Sequence, residues 1–423
     1  MPAGSAGHTR YGLAASIAAM VVLVAQTAAP SPLYPDYQQA WGLTAVTIAS
    51  VFAVYVVGLL IVLLTAGGLS DHIGRKPVVI TAGVLALAGL ILLALAESVT
   101  VLVIARILQG ASVGLVAGTL GAALMDFHLP GRIQLSAMLN GALPPLALAV
   151  GALGSAALTL VLPAPRQTVY LVFAAATVAV TALWIFAEER SPRRPGALHS
   201  MRPALSIPRR TRPVFLAVIS ALCAAWALAG LYVGSATAIT HQALELDGVL
   251  VGGLAILALQ VPAAITGIAT GRVHARPVVL AGLGALFVGS VLTVVALWAT
   301  STWGFFAATI VAGIGFGAAF QGGLRLVLAE TPEDARSGVL SGVYVVSYLA
   351  FGVPSVIAGF LTPAIGFTPT TYLYLAFVAI LALAALLTQL RPGRAAQAEE
   401  EAEVEESLEV LDDAPYPAWD TAV

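Results

Sequence analysis

Twelve runs of apolar residues, each about twenty long or longer, follow one another from Gly12 to Leu390. They lie near residues 12–33, 45–66, 77–96, 99–124, 135–161, 168–187, 213–238, 249–270, 277–299, 303–328, 339–362 and 369–390. A helix of that length covers the roughly 30 Å hydrocarbon layer of a bilayer at about 1.5 Å per residue. Only helices and closed barrels satisfy their own backbone in lipid. These runs are continuous rather than alternating, which argues for helices and against a barrel. Composition agrees: 59% of the chain is hydrophobic and 9% charged, where a soluble domain carries about 25% charge. The chain cannot cover a water-facing surface with polar groups. The expected fold is an all-α membrane protein of twelve transmembrane helices.

Arginine and lysine orient the spans. With the N-terminus placed inside, Arg10, Arg75, Lys76, Arg132, Arg272, Arg276, Arg336, Arg391 and Arg394 fall on the inner side, with seven arginines between Arg190 and Arg212. Only Arg166 falls outside. That asymmetry places both termini in the cytoplasm. A cleaved signal peptide is disfavoured, because the first run passes into Pro30, Pro32 and Pro35 with no small-residue cleavage site. Tyr34, Tyr37 and Trp41 follow it as an expected interfacial aromatic belt. The basic, Pro-rich stretch Glu188 to Pro213 separates six spans from six and is read as a cytoplasmic loop against an anionic leaflet, not a nucleic-acid site. The chain divides into a bundle at 1–190, a linker at 191–212, a second bundle at 213–391, and an acidic tail at 392–423 expected to be disordered in the cytoplasm. Cys223 is the single cysteine, which excludes an internal disulfide and a cysteine metal cluster.

The loop between the second and third runs reads GGLSDHIGRKPVV, Gly67 to Val79, and crowds Ser70, Asp71, His72, Arg75 and Lys76 together in a chain that is only 9% charged. Gly67, Leu69, Asp71, Gly74, Arg75 and Lys76 fit G-x-L-x-D-x-x-G-R-K. This resembles the signature loop of the major facilitator superfamily, with His72 where the family has a basic residue after the Asp. The resemblance covers the membrane body and not the acidic tail. It implies two six-helix bundles around a central cavity. It also implies that Asp71 meets the start of the eleventh helix, here ARSGVLSG, where Ser337 or Ser341 share the capping. Gly74 permits a tight turn, and Pro77 suits the first turn of the third helix. Arg75 needs a carboxylate, and Asp126 at the end of the fourth span is the best placed. Together these residues are expected to form a latch that holds the two bundles closed on the inside.

Inside the membrane, Arg106 sits about seven residues, or roughly 10 Å, below the outer end of the fourth span. A charge there is expected to face a cavity or a partner. Its setting, R-x-x-Q-G, is similar to the family's fourth-helix motif, whose arginine the resemblance links to proton coupling. Gly110, Gly114 and Gly118 share one helix face, and Gly313 and Gly317 repeat that spacing in the tenth span. This alignment sets Gln321 opposite Gly118 and Thr309 opposite Arg106. TGRVHARPV, Thr270 to Val278, is a degraded copy of the signature loop without its Asp. The fifth span carries Pro144 and Pro145, expected to kink it, then Gly151 and Gly154, an incomplete version of the family's antiporter motif. Asp36, near the outer end of the first span, is the acidic candidate for proton coupling. Candidate cavity residues are Gln26, Tyr55, Gln109, Asn140, Trp226, Tyr232, Gln260, Gln321, Tyr344 and Tyr348. Their apolar and aromatic character suits amphiphilic or neutral ligands better than polyanions.

These features point to a secondary transporter, expected to drive proton-coupled efflux of small drug-like organic molecules. The alternatives are a same-fold importer, symporter or uniporter, of a metabolite or sugar, and a non-transporting receptor. A GxxxxGK[ST] loop is absent, so ATP is not a direct energy source. His8, His72, His128, His199, His241 and His274 lie at termini, loops and span ends without an H-x-x-x-H pair. An enzyme, a metal site and a cofactor are therefore not expected. The expected partners are the lipid bilayer, a small-molecule substrate and protons, with no nucleic acid. The chain is expected to act as a monomer in a bacterial plasma membrane.

Overall fold

The computed structural model describes residues 3–191, 194–201, 207–209, 211–332 and 335–390. Its first six long helices are α1 Ala3–Ala28, α2 Ala45–Ala66, α3 Arg75–Ala94, α4 Val99–Asp126, α5 Ile133–Val161 and α6 Pro165–Phe186. The last six are α7 Arg212–Gln242, α8 Val249–Ala269, α9 Ala275–Trp298, α10 Thr302–Ala329, α11 Arg336–Ile365 and α12 Phe367–Leu390. Twelve spans are long and apolar enough to cross a membrane, so the chain is a multi-pass membrane protein. The acidic tail and much of the linker, with Arg193, Arg202, Arg210, Arg391 and Arg394, lie outside the described residues.

Local chemistry starts and stops these helices. Thr44, Ser98 and Ser301 each accept a backbone N–H of the first turn with their side-chain oxygens, the usual N-cap arrangement. Gly42 and Gly366 end their helices at positive φ, 63° and 89°, where a Cβ is disfavoured. Within the first six, α3 packs on α4 and α6, α2 on α4, and α1 on α4, α5 and α6. The last six repeat this: α9 on α10 and α12, α8 on α10, and α7 on α10, α11 and α12. The two sets meet where α5 packs on α8 and α2 on α11. Shifting each helix number by six exchanges these two seams, so the packing has an internal two-fold pattern.

Glycines set the closest approaches. A Cβ at Gly110 or Gly114 would collide with the α2 carbonyls of Tyr55 and Leu59. A Cβ at Gly313 or Gly317 would collide with the α8 carbonyls of Leu259 and Ala263. The same backbone contact is therefore made in both sets, as small-residue faces allow. Gly118 is different: its nearest neighbour is the Gly67 carbonyl at 3.7 Å, an ordinary contact. The exterior is apolar, with Ile61, Val84, Phe186, Phe360 and Ile380 all more than half exposed. Such a surface is stable only against lipid.

One expectation needs correction. Of the three residues expected in an interfacial belt after the first span, Tyr34 and Tyr37 are buried in the protein and Trp41 is partly exposed. After α1 the chain makes a 3-10 turn, Ser31–Leu33, and a short helix, Tyr34–Trp41. Tyr34 and Tyr37 are buried there, and the Tyr37 hydroxyl donates to the Tyr170 hydroxyl at 3.3 Å. The second set's α9–α10 turn instead exposes Trp298 and Trp303, ring systems suited to an interface. Apolar runs alone do not distinguish a helix end tucked under its neighbours from one at the bilayer surface. The fifth helix, α5, runs as one helix through Pro144 and Pro145. Neither proline has an N–H, so the carbonyls of Asn140 and Gly141 lose their helical donors.

Candidate functional site

The Gly67–Lys76 loop gathers charge from four elements on one face of the bundle, called the basic face below. The short helix Ser70–Ile73 fills the turn between α2 and α3. The Arg75 guanidinium donates through Nη1 to the Asp71 carboxylate and, at 2.7 Å, to Ser70 Oγ. Its Nε donates to Asp126 Oδ2 at 3.2 Å, joining the loop to the end of α4. The N-terminus of α3 is capped from far away in sequence. Glu189, just past α6, accepts the Arg75 N–H at 3.1 Å and the Lys76 N–H at 2.9 Å. A carboxylate there also meets the positive end of the α3 dipole. Gly74, at φ 101°, lies so close to the Glu189 carboxylate that a Cβ would collide with it. Lys76 Nζ reaches the Ala187 carbonyl at 3.3 Å. Arg190 donates to Thr9 Oγ1 at 2.8 Å and lies 4.8 Å over the Phe127 ring. Asp71 is bonded within its own loop; among the described residues it makes no bond to the start of α11.

A cavity of about 400 Å³ lies between the two sets of six helices, within the range of small-molecule sites. Its walls reach the basic face through Met125, Gln134, Gly271, Arg325 and Leu328. Trp226 forms its aromatic side, with Phe320 at 5.3 Å and Tyr348 at 5.2 Å between ring centroids, and Phe316 and Phe351 beyond them. Toward the opposite face the walls converge. The rings of Phe52 on α2 and Phe351 on α11 stand 5.1 Å apart. Ser31 Oγ donates to the Val233 carbonyl at 2.7 Å, tying the turn after α1 to α7. Phe52 also lines a smaller space of about 120 Å³ beyond this closure, with Tyr34, Gln38 and Tyr374.

Tyr55, Arg106, Asn140, Trp226, Gln260, Gln321, Tyr344 and Tyr348 all line the larger cavity. Gln26, Gln109 and Tyr232 do not. Arg106 is 1% exposed and donates through Nη1 to the Thr27 carbonyl at 2.9 Å and Gln109 Oε1 at 2.8 Å. Its guanidinium carbon stands 4.4 Å over the Tyr55 ring, a cation–π arrangement. Gln109 Nε2 in turn donates to Gln26 Oε1 at 2.6 Å. Gln26 and Gln109 thus orient Arg106 from behind the cavity wall. In the second set, Tyr232 and Thr309 share a hydrogen bond of 2.7 Å between α7 and α10. This neutral pair occupies the place that Gln26, Gln109 and Arg106 hold between α1 and α4. Asp36 lies on the Tyr34–Trp41 helix and lines neither cavity.

Two residues escaped the sequence reading. Glu189 sits 114 positions from Arg75, and its only sequence cue was an acidic pair ending the sixth run. Arg325 lies one turn from the end of α10, inside an otherwise apolar run. Its Nη1 donates to the carbonyls of Gly271 at 3.1 Å and Val273 at 2.8 Å, in the loop between α8 and α9. This is the place of the degraded second loop, where carbonyls replace the missing carboxylate. Among the described residues no group of three or more His, Cys, Asp or Glu is placed to hold a metal.

The sequence model for the Major Facilitator Superfamily matches residues 15–291 and, again, 263–419. The crystal structure of the human organic anion transporter MFSD10 (TETRAN) aligns with a TM-score of 0.63, covering 92% of this chain and 100% of that chain at 16% identity. That identity carries a likeness of fold alone. Comparison with curated proteins yields no match.

Proposed function

The chain belongs to the major facilitator superfamily, and we propose that it is a secondary active transporter that exports small amphiphilic molecules in exchange for protons by alternating access. The observation that carries this reading is the cavity between the two sets of helices. It reaches the basic face and is closed toward the other by Phe52 and Phe351. Rocking about the α2–α11 and α5–α8 seams would reverse that accessibility. On this reading the units are the bundles at 1–190 and 213–391, both termini are cytoplasmic, and the monomer suffices in a bacterial plasma membrane.

The signature loop then works as a latch. With the cavity reaching the basic face, Asp71 stays with Arg75, and Arg75 with Asp126. When that face closes, Asp71 turns to the start of α11. Asp71→Asn should leave the amount of protein in the membrane unchanged and slow transport; full transport by this variant removes the latch. Proton coupling is assigned to Asp36 or to the Arg106 cluster. One observation favours a second reading, a uniporter: among the described residues no carboxylate lines the main cavity. Reconstitution in vesicles with an internal pH dye, challenged with lipophilic cations, antibiotics and sugars, separates the two. Substrate-dependent proton movement supports exchange, flux without it supports uniport, and binding without flux supports a receptor.

A further inference from the structure

Cationic side chains stand at both ends of the main cavity, Arg106 at its closed end and Arg325 near the basic face, and no carboxylate among the described residues lines the wall between them. Neither guanidinium has a carboxylate partner there. Arg106 is satisfied only in part, its Nε being buried without an acceptor. Arg325 spends Nη1 on two loop carbonyls, while Nε and Nη2 are buried and unpartnered. Two more donors on the same wall, Trp226 Nε1 and Gln260 Nε2, are also buried without acceptors, against one unpartnered acceptor there, Gln260 Oε1. The buried Arg106 guanidinium calls for a counter-charge in a membrane protein, and a wall whose unpartnered groups, those of the partly exposed Arg325 included, are mostly donors calls for an acceptor-rich guest. Resting on the transport reading, we infer that the cavity binds an organic anion with a single acidic group. Its carboxylate, sulfonate or phosphate oxygens accept from Arg325, and its apolar body lies against Trp226, Phe316 and Phe320.

Arg325 is the better anchor of the two, because Arg106 is already committed to Thr27, Gln109 and the Tyr55 ring. Turned toward the cavity, a planar guanidinium with two uncommitted donors matches a carboxylate or sulfonate in a two-point contact. A cation placed beside the same wall would meet like charge and no compensating carboxylate. Polyanions are disfavoured by the apolar and aromatic remainder of the lining.

The test uses the full chain and three naphthalene probes of one shape: naphthalene-2-sulfonate, its neutral sulfonamide, and a naphthylmethyl trimethylammonium cation. Equilibrium binding to the purified protein and flux in reconstituted vesicles are measured for each. The sulfonate should bind tightest, and Arg325→Gln should weaken it about tenfold, the loss expected for one charge-assisted contact. The sulfonamide should bind that variant unchanged, which shows that the cavity is intact. Arg325→Lys, which keeps the charge and loses the fork, should fall between. Sulfonate binding without flux would uphold this inference and remove the transport reading. Flux of the cation or sulfonamide, with the sulfonate neither bound nor moved, would overturn the inference and leave transport standing. Equal sulfonate binding by the wild type and Arg325→Gln would overturn the assignment as well.

Discussion

At the scale of single residues, two kinds of constraint are separable. Gly110 is held by sterics, since any Cβ would strike the Tyr55 carbonyl. Gly110→Val should drive α2 from α4 and cost about 1–3 kcal/mol, the range of overpacking. Thermal unfolding in detergent should show a marked fall. Gly154→Ala is the control, because nothing lies within 4 Å of its added carbon, and it should cause no loss of stability. Arg75 is held by electrostatics. Its side chain is 13% exposed and serves Asp71, Ser70 and Asp126 together. Asp126→Asn removes one charge from a cluster that keeps Asp71, so it should cost less than about 1 kcal/mol. Arg75→Met strips the centre from both carboxylates and should destabilise more. The reverse order of melting temperatures would show that Arg75 is not the hub.

At the scale of elements, the third helix depends on a residue outside it. Glu189 accepts both of the first two α3 amides, so the end of the sixth helix caps the start of the third. Glu189→Ala should free those amides and cost about 1 kcal/mol, as for loss of a cap. Hydrogen exchange read by mass spectrometry should rise at Arg75 and Lys76 and stay flat in the middle of α3. Glu189→Gln keeps the acceptor and loses the charge, so its effect should be smaller. The linker is drawn into the same cluster, since the Arg194 N–H donates to the His72 carbonyl at 3.1 Å. This bond places the connection between the sets of helices against the proposed latch.

At the scale of the whole molecule, the proposed transport cycle has the two seams decide which face the cavity reaches. The Phe52–Phe351 contact closes the α2–α11 seam. With Cys223→Ser as background, Phe52→Cys paired with Phe351→Cys should cross-link through a short bismaleimide and abolish flux of any transported probe. The single-cysteine variants should retain flux. Gln134→Cys should react with a charged thiol reagent added from the basic face, and Gln38→Cys from the other. The cross-link should leave the Gln134→Cys reaction intact, because it fixes the state in which the cavity reaches the basic face. Free flux through the cross-linked protein would exclude rocking about that seam.

Much of this was legible along the chain. The twelve apolar runs, the basic loops and the glycines at every fourth position report on solvent and backbone spacing, which are local properties. The need of Arg75 for a carboxylate was legible for the same reason, and Asp126 was within reach of that argument. Which polar side chains look into the cavity was not. Inside a membrane, lipid and neighbouring helices are equally apolar, so a helix gives little sign of which face meets a void. Gln26, Gln109 and Tyr232 thus looked like cavity residues and instead pack behind its wall. Glu189 as a cap and Arg325 as a cavity cation arise only when helices far apart in the chain are brought together. Apolar length settles the solvent and the number of spans, and charge bias carries the proposed orientation. The partners of buried charge come from helix packing, because in a low-dielectric interior a charge is satisfied by whatever lies beside it in space.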